Sequence, residues 1–243
     1  MVKKKVYLVG AGPGDPGLLA VKALRVIREA DVVIYDRLVN RAIIKEAQKK
    51  ALTIRVGRGR ETPEQRQQRI YRLMLKYHKR GLKVVRLKNG DPLLFGRGGE
   101  EIDFLKHHGV RYDVVPGISS AIGVPSGAGL PLTHRKVSSS LLILPGHSME
   151  GETTDWKSAA EFPGTLVVLM GAGNIEAICK KLIEGGKDPR TPACMIRKGS
   201  LREERIVHGP LEKLGLLAVK EKMRAPVVTV IGDVVKLAGF YQE

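Results

Sequence analysis

Apolar and polar positions along this chain alternate between two periods. Lys5-Val6-Tyr7-Leu8-Val9 is a short apolar run stopped by Gly10, as a buried strand is, and Leu18 to Ala30 follows with apolar residues at Leu19, Leu24, Val26 and Ile27, a helical spacing. Asp31-Val32-Val33-Ile34-Tyr35 predicts a second strand ending on Asp36, and Thr53-Ile54-Arg55-Val56 a third, closed by Gly57. Thr62-Pro63-Glu64 predicts a capped, proline-led helix whose apolar face is Ile70, Leu73, Met74 and Tyr77. Leu82 to Leu87 predicts a fourth strand. Strand and helix in strict turn predict an α/β fold with a mostly parallel sheet covered on both faces.

From Pro116-Gly117 to Pro131 the chain becomes small and turn-rich, with Ser119, Ser120, Gly123, Pro125, Ser126, Gly127 and Gly129. The expected domains are therefore 1–116 and 117–243, which suits a length of 243 residues. Beyond the shift, Ser140 to Leu144, Thr165 to Leu169 and Pro226 to Ile231 predict strands, and Ile175 to Glu184 a helix. A second α/β domain follows, with antiparallel pairing expected around Met195 to Val207.

The longest chemistry-bearing stretch runs from Arg86 to Glu101, just after the fourth strand. It holds an Asp91-Pro92 step, a solitary Phe95 and the glycines Gly90, Gly96, Gly98 and Gly99. Glycines so crowded let backbone approach a ligand closely, which marks a binding loop at the carboxyl edge of a sheet. An earlier loop, Gly12-Pro13-Gly14-Asp15-Pro16-Gly17, matches the G-x-G-x-x-G pattern of dinucleotide-binding turns, with Asp36 placed as a ribose-binding acid. Pro13 and Pro16 argue against that reading, because each removes an N–H from the loop that should wrap a pyrophosphate.

Charge and special residues narrow the field. Lys and Arg outnumber Asp and Glu by 42 to 25, a formal +17, with a local crowd from Arg55 to Lys88. Such an excess attracts anions, or serves as a solubilising surface. Aromatics are only 5% of residues, too few for a base-stacking platform, so nucleic acid is not the expected partner. No run approaches the ~20 apolar residues of a membrane span. The basic start, Met1-Val2-Lys3-Lys4-Lys5, precedes an apolar run too short for a signal peptide, so a cytoplasmic location is expected. Cys179 and Cys194 read as buried thiols, and His134 and His147 lack a second ligand at a metal spacing, so no metal is expected. His107-His108 reads as a solvated helix C-terminus.

Read in order, several segments resemble the tetrapyrrole C-methylases, which use S-adenosyl-L-methionine. They are Val6 to Pro16, Ala30 to Val39, the long glycine loop, Val114 to Ala121, Pro131 to Arg135, Gly146-His147 and Met170-Gly171. The resemblance implies two α/β domains with the cofactor in the cleft between them, in a homodimer. It implies two successive methyl transfers, to C-2 and C-7 of uroporphyrinogen III, giving precorrin-2 for the sirohaem and cobalamin branches. Leu132-Thr133-His134-Arg135 points to that substrate over later corrin intermediates or diphthamide. The substrate is a polycarboxylate, which suits the positive balance. Three alternatives stay open: a methylase of a later precorrin, an NAD-dependent oxidoreductase, and a basic nucleic-acid-binding module.

By position, the resemblance places cofactor contacts on Pro13, Asn89, Gly90, Asp91, Leu94, Ser119, Ser120, Met170 and Gly199. It makes Asp36 the proton acceptor and sets Leu38 and Phe95 near the macrocycle. The plain alternatives are a turn for the glycines and proline, ordinary core for Met170, Leu38 and Phe95, and a cap for Ser119, Ser120 or Asp36. Arg58 stands where many relatives have a lysine proton donor; an arginine keeps its proton, so its expected role is electrostatic. Asn89-Gly90-Asp91 replaces the usual Gly-Gly-Asp, with Asn expected to tolerate a positive φ.

Overall fold

The computed structural model describes residues 5–57, 61–147 and 154–241, and the chain divides into two units, Met1–Ser119 and Ser120–Glu243. The first carries the strands β1 (Val6–Gly10), β2 (Val32–Asp36), β3 (Leu52–Val56), β4 (Val84–Lys88) and β5 (Tyr112–Val115). They form one wholly parallel sheet in the order β3-β2-β4-β1-β5. The helices α1 (Val21–Arg28), α2 (Arg41–Ile44), α3 (Pro63–Lys79) and α4 (Gly98–His107) connect them.

Strand alternation decides which helix covers which face. Leu8, Val32, Ile34 and Val84 pack with Ile70 and Met74 of α3 and Leu105 of α4, whereas Val9, Val33, Val85 and Leu87 pack with Ala23, Val26 and Ile27 of α1. All of these are fully or nearly fully buried. Each Val, Leu, Ile or Met among them contributes roughly 1.5–3 kcal/mol relative to exposure. The helix α3 starts where its sequence says: Thr62 Oγ1 accepts from Gln65 N, and Gln65 Oε1 accepts in return from Thr62 N. The predicted helix from Leu18 is shorter than expected. Pro16–Leu18 forms a separate 3₁₀ turn capped by Asp15, and extended backbone at Leu19 and Ala20 delays α1 to Val21.

The second unit carries β6 (Leu141–Pro145), β7 (Thr165–Leu169), β8 (Pro192–Arg197), β9 (Arg205–Pro210) and β10 (Val227–Ile231), ordered β6-β7-β10-β8-β9. Its helices are α5 (Ser120–Gly127), α6 (Trp156–Glu161), α7 (Ile175–Glu184) and α8 (Leu211–Lys220). β6 and β7 are parallel, β10 runs against both β7 and β8, and β8 and β9 pair antiparallel with Met195 opposite Val207. Because β10 opposes both neighbours, the carboxyl ends of β6, β7 and β8 lie at one edge. Among the described residues no helix is long and apolar enough to cross a membrane.

Candidate active site

In the first unit the loops leaving β1, β4 and β5 are knitted together at the carboxyl edge. Gly12 and Gly90 exchange backbone hydrogen bonds, N to O at 3.2 and 2.8 Å, and Ala11 N donates to Lys88 O at 2.8 Å. A Cβ on Gly10 would lie 2.5 Å from Gly117 Cα, and one on Gly117 would lie 2.3 Å from Gly90 O. Only glycine lets these backbones meet. The positive φ of the second loop falls on Gly90, at 66°, and not on Asn89. Asn89 therefore adds an amide without bearing the strain that the sequence assigns to it.

Asp91 fastens the same edge: its Oδ1 accepts from Leu93 N at 2.9 Å and its Oδ2 from Gly117 N at 3.1 Å. Gly17 N donates to Asp15. The N–H groups of Gly12, Gly17, Gly90 and Gly117 are thus all engaged within the protein, and Pro13 and Pro16 have none. A pyrophosphate needs free, convergent N–H donors, and these four N–H groups are not available to one. The edge leaves carbonyls and bare glycine backbone, which suit a phosphate-free ligand. Leu94 and Phe95 follow in the same loop, both partly buried, with Phe95 held at φ 51° and Arg97 at φ 58°. Pro13 is partly buried in the first loop. Leu38, expected near the macrocycle or in the core, is 44% exposed, so the core alternative does not hold.

A buried cluster of charge lies beside this edge, on the face of the sheet covered by α3 and α4. Register pairs Arg86 with Ile34, which puts Asp36 one same-face step further along β2. Arg86 Nη2 donates to Asp36 Oδ1 at 2.6 Å, and Arg86 Nε donates to Glu101 Oε1 at 3.0 Å. Lys88 Nζ and Gln67 Nε2 donate to the same Glu101 oxygen at 3.1 and 3.3 Å. The side chains of Arg86, Lys88 and Glu101 are 3, 2 and 0% exposed, and that of Asp36 is 32% exposed. Burial works against the charge on Arg86, yet the Glu101 and Asp36 carboxylates outweigh it and raise its pKa. Burial, and then the adjacent Arg86 charge, lower the pKa of Lys88, with Glu101 and Asp36 opposing them.

This cluster was not found by reading the sequence. Arg86 and Lys88 fall in the basic crowd that reads as an anion-attracting or solubilising surface, and both are buried and paired instead. The available signal was positional: cations in the middle of a parallel sheet, where apolar residues are usual, need internal anions. Asp36 is thereby no mere cap; its side chain is held across the sheet while remaining partly open.

In the second unit, Gly146, Met170, Gly171 and Gly199 gather at the carboxyl edge of β6, β7 and β8. Gly146 N donates to Leu169 O at 2.7 Å, and a Cβ on Gly146 would lie 2.3 Å from Gly171 Cα. Met170 is 44% exposed at φ 58°, so it is not core packing. Gly199 backs onto α5, where an added Cβ would meet Val124 Cγ1 at 2.2 Å. Ser120 opens α5, Ser119 immediately precedes it, and both are partly buried. Arg58 lies outside the described residues. Both cysteines are buried thiols, with burial pushing Cys179 up to about 11 and Cys194 to about 12. Among the described residues no cluster of His, Cys, Asp or Glu could hold a metal. His107 ends α4 and His108 caps it, its Nδ1 lying 2.9 Å from Phe104 O.

Known proteins resemble this chain in sequence and in fold. A siroheme synthase of Saccharophagus degradans is 46% identical over 96% of this chain, which covers 51% of that protein. The chain spans about half the length of the siroheme synthases it matches. An S-adenosyl-L-methionine-dependent uroporphyrinogen III methyltransferase of Methanosarcina barkeri is 43% identical over 96% of this chain and 92% of its own length. The crystal structure of uroporphyrin-III C-methyl transferase from Thermus thermophilus, complexed with S-adenyl homocysteine, superimposes with a TM-score of 0.84 at 42% identity. That match covers 96% of this chain and 99% of the other. Residues 5–215 match the family of tetrapyrrole (corrin/porphyrin) methylases, so the match takes in both knitted sheet edges and the Asp36 cluster, and the chain belongs to that family.

Proposed function

We propose that this chain transfers methyl groups from S-adenosyl-L-methionine to C-2 and C-7 of uroporphyrinogen III, giving precorrin-2 and S-adenosyl-L-homocysteine. The observation that carries this reading is a likeness running nearly end to end with a relative of similar length that is named for that cofactor and that substrate. The phosphate-free character of the first unit's loops supports it. The cofactor supplies an electrophilic methyl on a cationic sulfonium. Pro13, Asn89, Gly90, Asp91, Leu94, Ser119, Ser120, Met170 and Gly199 are the residues that would hold it. Asp91 contributes through the loop it fastens, since both its oxygens already accept backbone N–H groups.

Asp36 is the proton acceptor in this reading. A pyrrole carbon that takes up a methyl group leaves positive charge on the macrocycle, which is discharged by loss of a proton. An ionised carboxylate at a strand end, held on one oxygen by Arg86 and partly open to solvent, stabilises that charge and accepts the proton. Leu38 and Phe95 offer apolar contacts to the ring. Arg58 clamps an acetate or propionate side chain, because its guanidinium does not release a proton at working pH. The formal +17 draws the polyanionic substrate in.

We further propose that the protein acts in the cytoplasm as a homodimer. Leu216 and Val219 of α8, each 74% exposed, support a self-contact, and light scattering tests it. The enzymatic reading is tested by anaerobic incubation with uroporphyrinogen III and S-adenosyl-L-methionine. Dimethylated product is expected; turnover of a later precorrin only, or no binding of S-adenosyl-L-homocysteine, overturns it.

A further inference from the structure

We propose that Glu101, together with Lys88, is a positioning residue for the reaction: it holds the Arg86 guanidinium so that Arg86 in turn fixes Asp36 toward the substrate. The inference rests on the reading of Asp36 as proton acceptor. Three donors from β4 and α3 converge on a single Glu101 oxygen, Oε1, while its Oε2 is buried without a hydrogen-bond partner among the described residues. Stability does not ask for this. Four ionisable groups packed between a sheet and the helix on its face incur heavy desolvation, and apolar residues of similar volume usually serve a core as well or better. What the arrangement achieves is directional. Arg86 also donates through Nη1 to Leu87 O at 3.3 Å, so with Glu101 on Nε the plane of the guanidinium is fixed and Nη2 points at Asp36. Without the Glu101 anion, Nε loses the contact that sets the plane of the guanidinium, and the Asp36 carboxylate is held less firmly in its orientation. Lys88 completes the charge balance, two cations against two anions.

The test is kinetic, on the full chain, with Asp36→Asn, Glu101→Gln and their combination. Glu101→Gln should bind S-adenosyl-L-homocysteine as the parent does and keep the KM for uroporphyrinogen III within about threefold. Its kcat should fall at least tenfold, part of the ~10²–10⁴ that a positioned base contributes. In the Asp36→Asn background the same change should add nothing further, because residues acting through one another are not additive. A purely structural Glu101 would lower kcat by the same factor in both backgrounds, which overturns the inference. Parental kcat in Glu101→Gln, with Asp36→Asn inactive, also overturns it while leaving the base assignment standing. Full activity in Asp36→Asn instead removes the base reading, and the inference with it. If Glu101→Gln does not fold, the charge-balanced Lys88→Met/Glu101→Gln protein replaces it in both backgrounds under the same criteria.

Discussion

Arg86 and Asp36 meet across neighbouring strands because the β2–β4 register leaves them one same-face step apart, and their 2.6 Å contact joins a buried cation to a partly open carboxylate. The other side of the guanidinium is held by Glu101, whose side chain is wholly buried. The cation is therefore shared between an anion in the core and one at the rim.

Removing Arg86 leaves Glu101 buried with Lys88 as its only cation. Arg86→Met is expected to cost about 3–5 kcal/mol, the usual result of breaking a buried pair from one side. Arg86→Met/Glu101→Leu should recover most of that stability while activity stays low. Urea unfolding followed by circular dichroism, beside a methylation assay, checks both parts. Recovery of activity along with stability would contradict a catalytic role for the Asp36 contact.

The knitted glycine edge predicts a steric result. Gly117→Ala places a methyl 2.3 Å from Gly90 O, backbone that cannot step aside alone, so a loss of roughly 1–3 kcal/mol is expected. S-adenosyl-L-homocysteine affinity should fall with it, because the loops after β1 and β4 shift together. Gly99→Ala, where an added Cβ meets nothing within 4 Å, is the matched control and should be nearly silent in both titration calorimetry and thermal melting.

Gly199 gives a test with a built-in rescue. An alanine there meets Val124 Cγ1 at 2.2 Å, a side-chain clash and not a backbone one. Gly199→Ala alone should weaken cofactor binding and stability, and Gly199→Ala/Val124→Ala should restore much of the stability. Failure of the rescue in thermal melts would mean that the glycine is required for its backbone.

Met170 is open to solvent, so truncating it removes little packing. Met170→Ala should change stability by no more than about 0.5 kcal/mol. Its affinity for S-adenosyl-L-homocysteine should nonetheless drop severalfold, read by calorimetry. Unchanged affinity would take Met170 out of the proposed cofactor site.

The two thiols predict a pH effect with a definite sign. Burial raises Cys179 to about 11 and Cys194 to about 12 from an ordinary 9.0. The folded state keeps these protons after the unfolded chain has lost them, so their contribution is complete below pH 9 and declines as pH rises toward 11–12. Relative to Cys179→Ala/Cys194→Ala, the parent should lose stability as pH rises from about 9 toward 11, the window between the unfolded and folded values. Lys88, lowered by burial, contributes with the opposite sign, rising with pH up to 10.5, and is common to both proteins. Neither thiol should react with a thiol reagent at pH 8 until the protein unfolds.

Much of the fold is legible in the residues because it rests on local period. The runs at Val6, Val32, Val84 and Thr165 alternate or stay apolar over strand lengths, and Ile70, Leu73, Met74 and Tyr77 repeat at helical spacing. The antiparallel pairing near Met195 and Val207 follows from two short runs close in sequence. Helix starts are less legible where a proline turn intervenes, as at Pro16–Leu18. For the candidate site, the residue types announce the glycine loops, but not which glycine bears the strained backbone: Gly90 does, beside an Asn89 that equally tolerates it.

Spacing along the chain was enough to give the α/β class, the glycine-rich loops that follow the first and fourth strands, and the position of Asp36 at a strand end. The tertiary structure alone decided that Met170 and Leu38 are exposed, that the loop N–H groups of Gly12, Gly90 and Gly117 are already engaged, and that Arg86, Lys88 and Glu101 are buried around one oxygen. The physical reason is distance. Glu101 lies 65 residues from Asp36 in the chain, and only sheet register and the seating of α4 on one face bring their shared guanidinium between them. A charge written in sequence carries no mark of whether water or another charge will answer it.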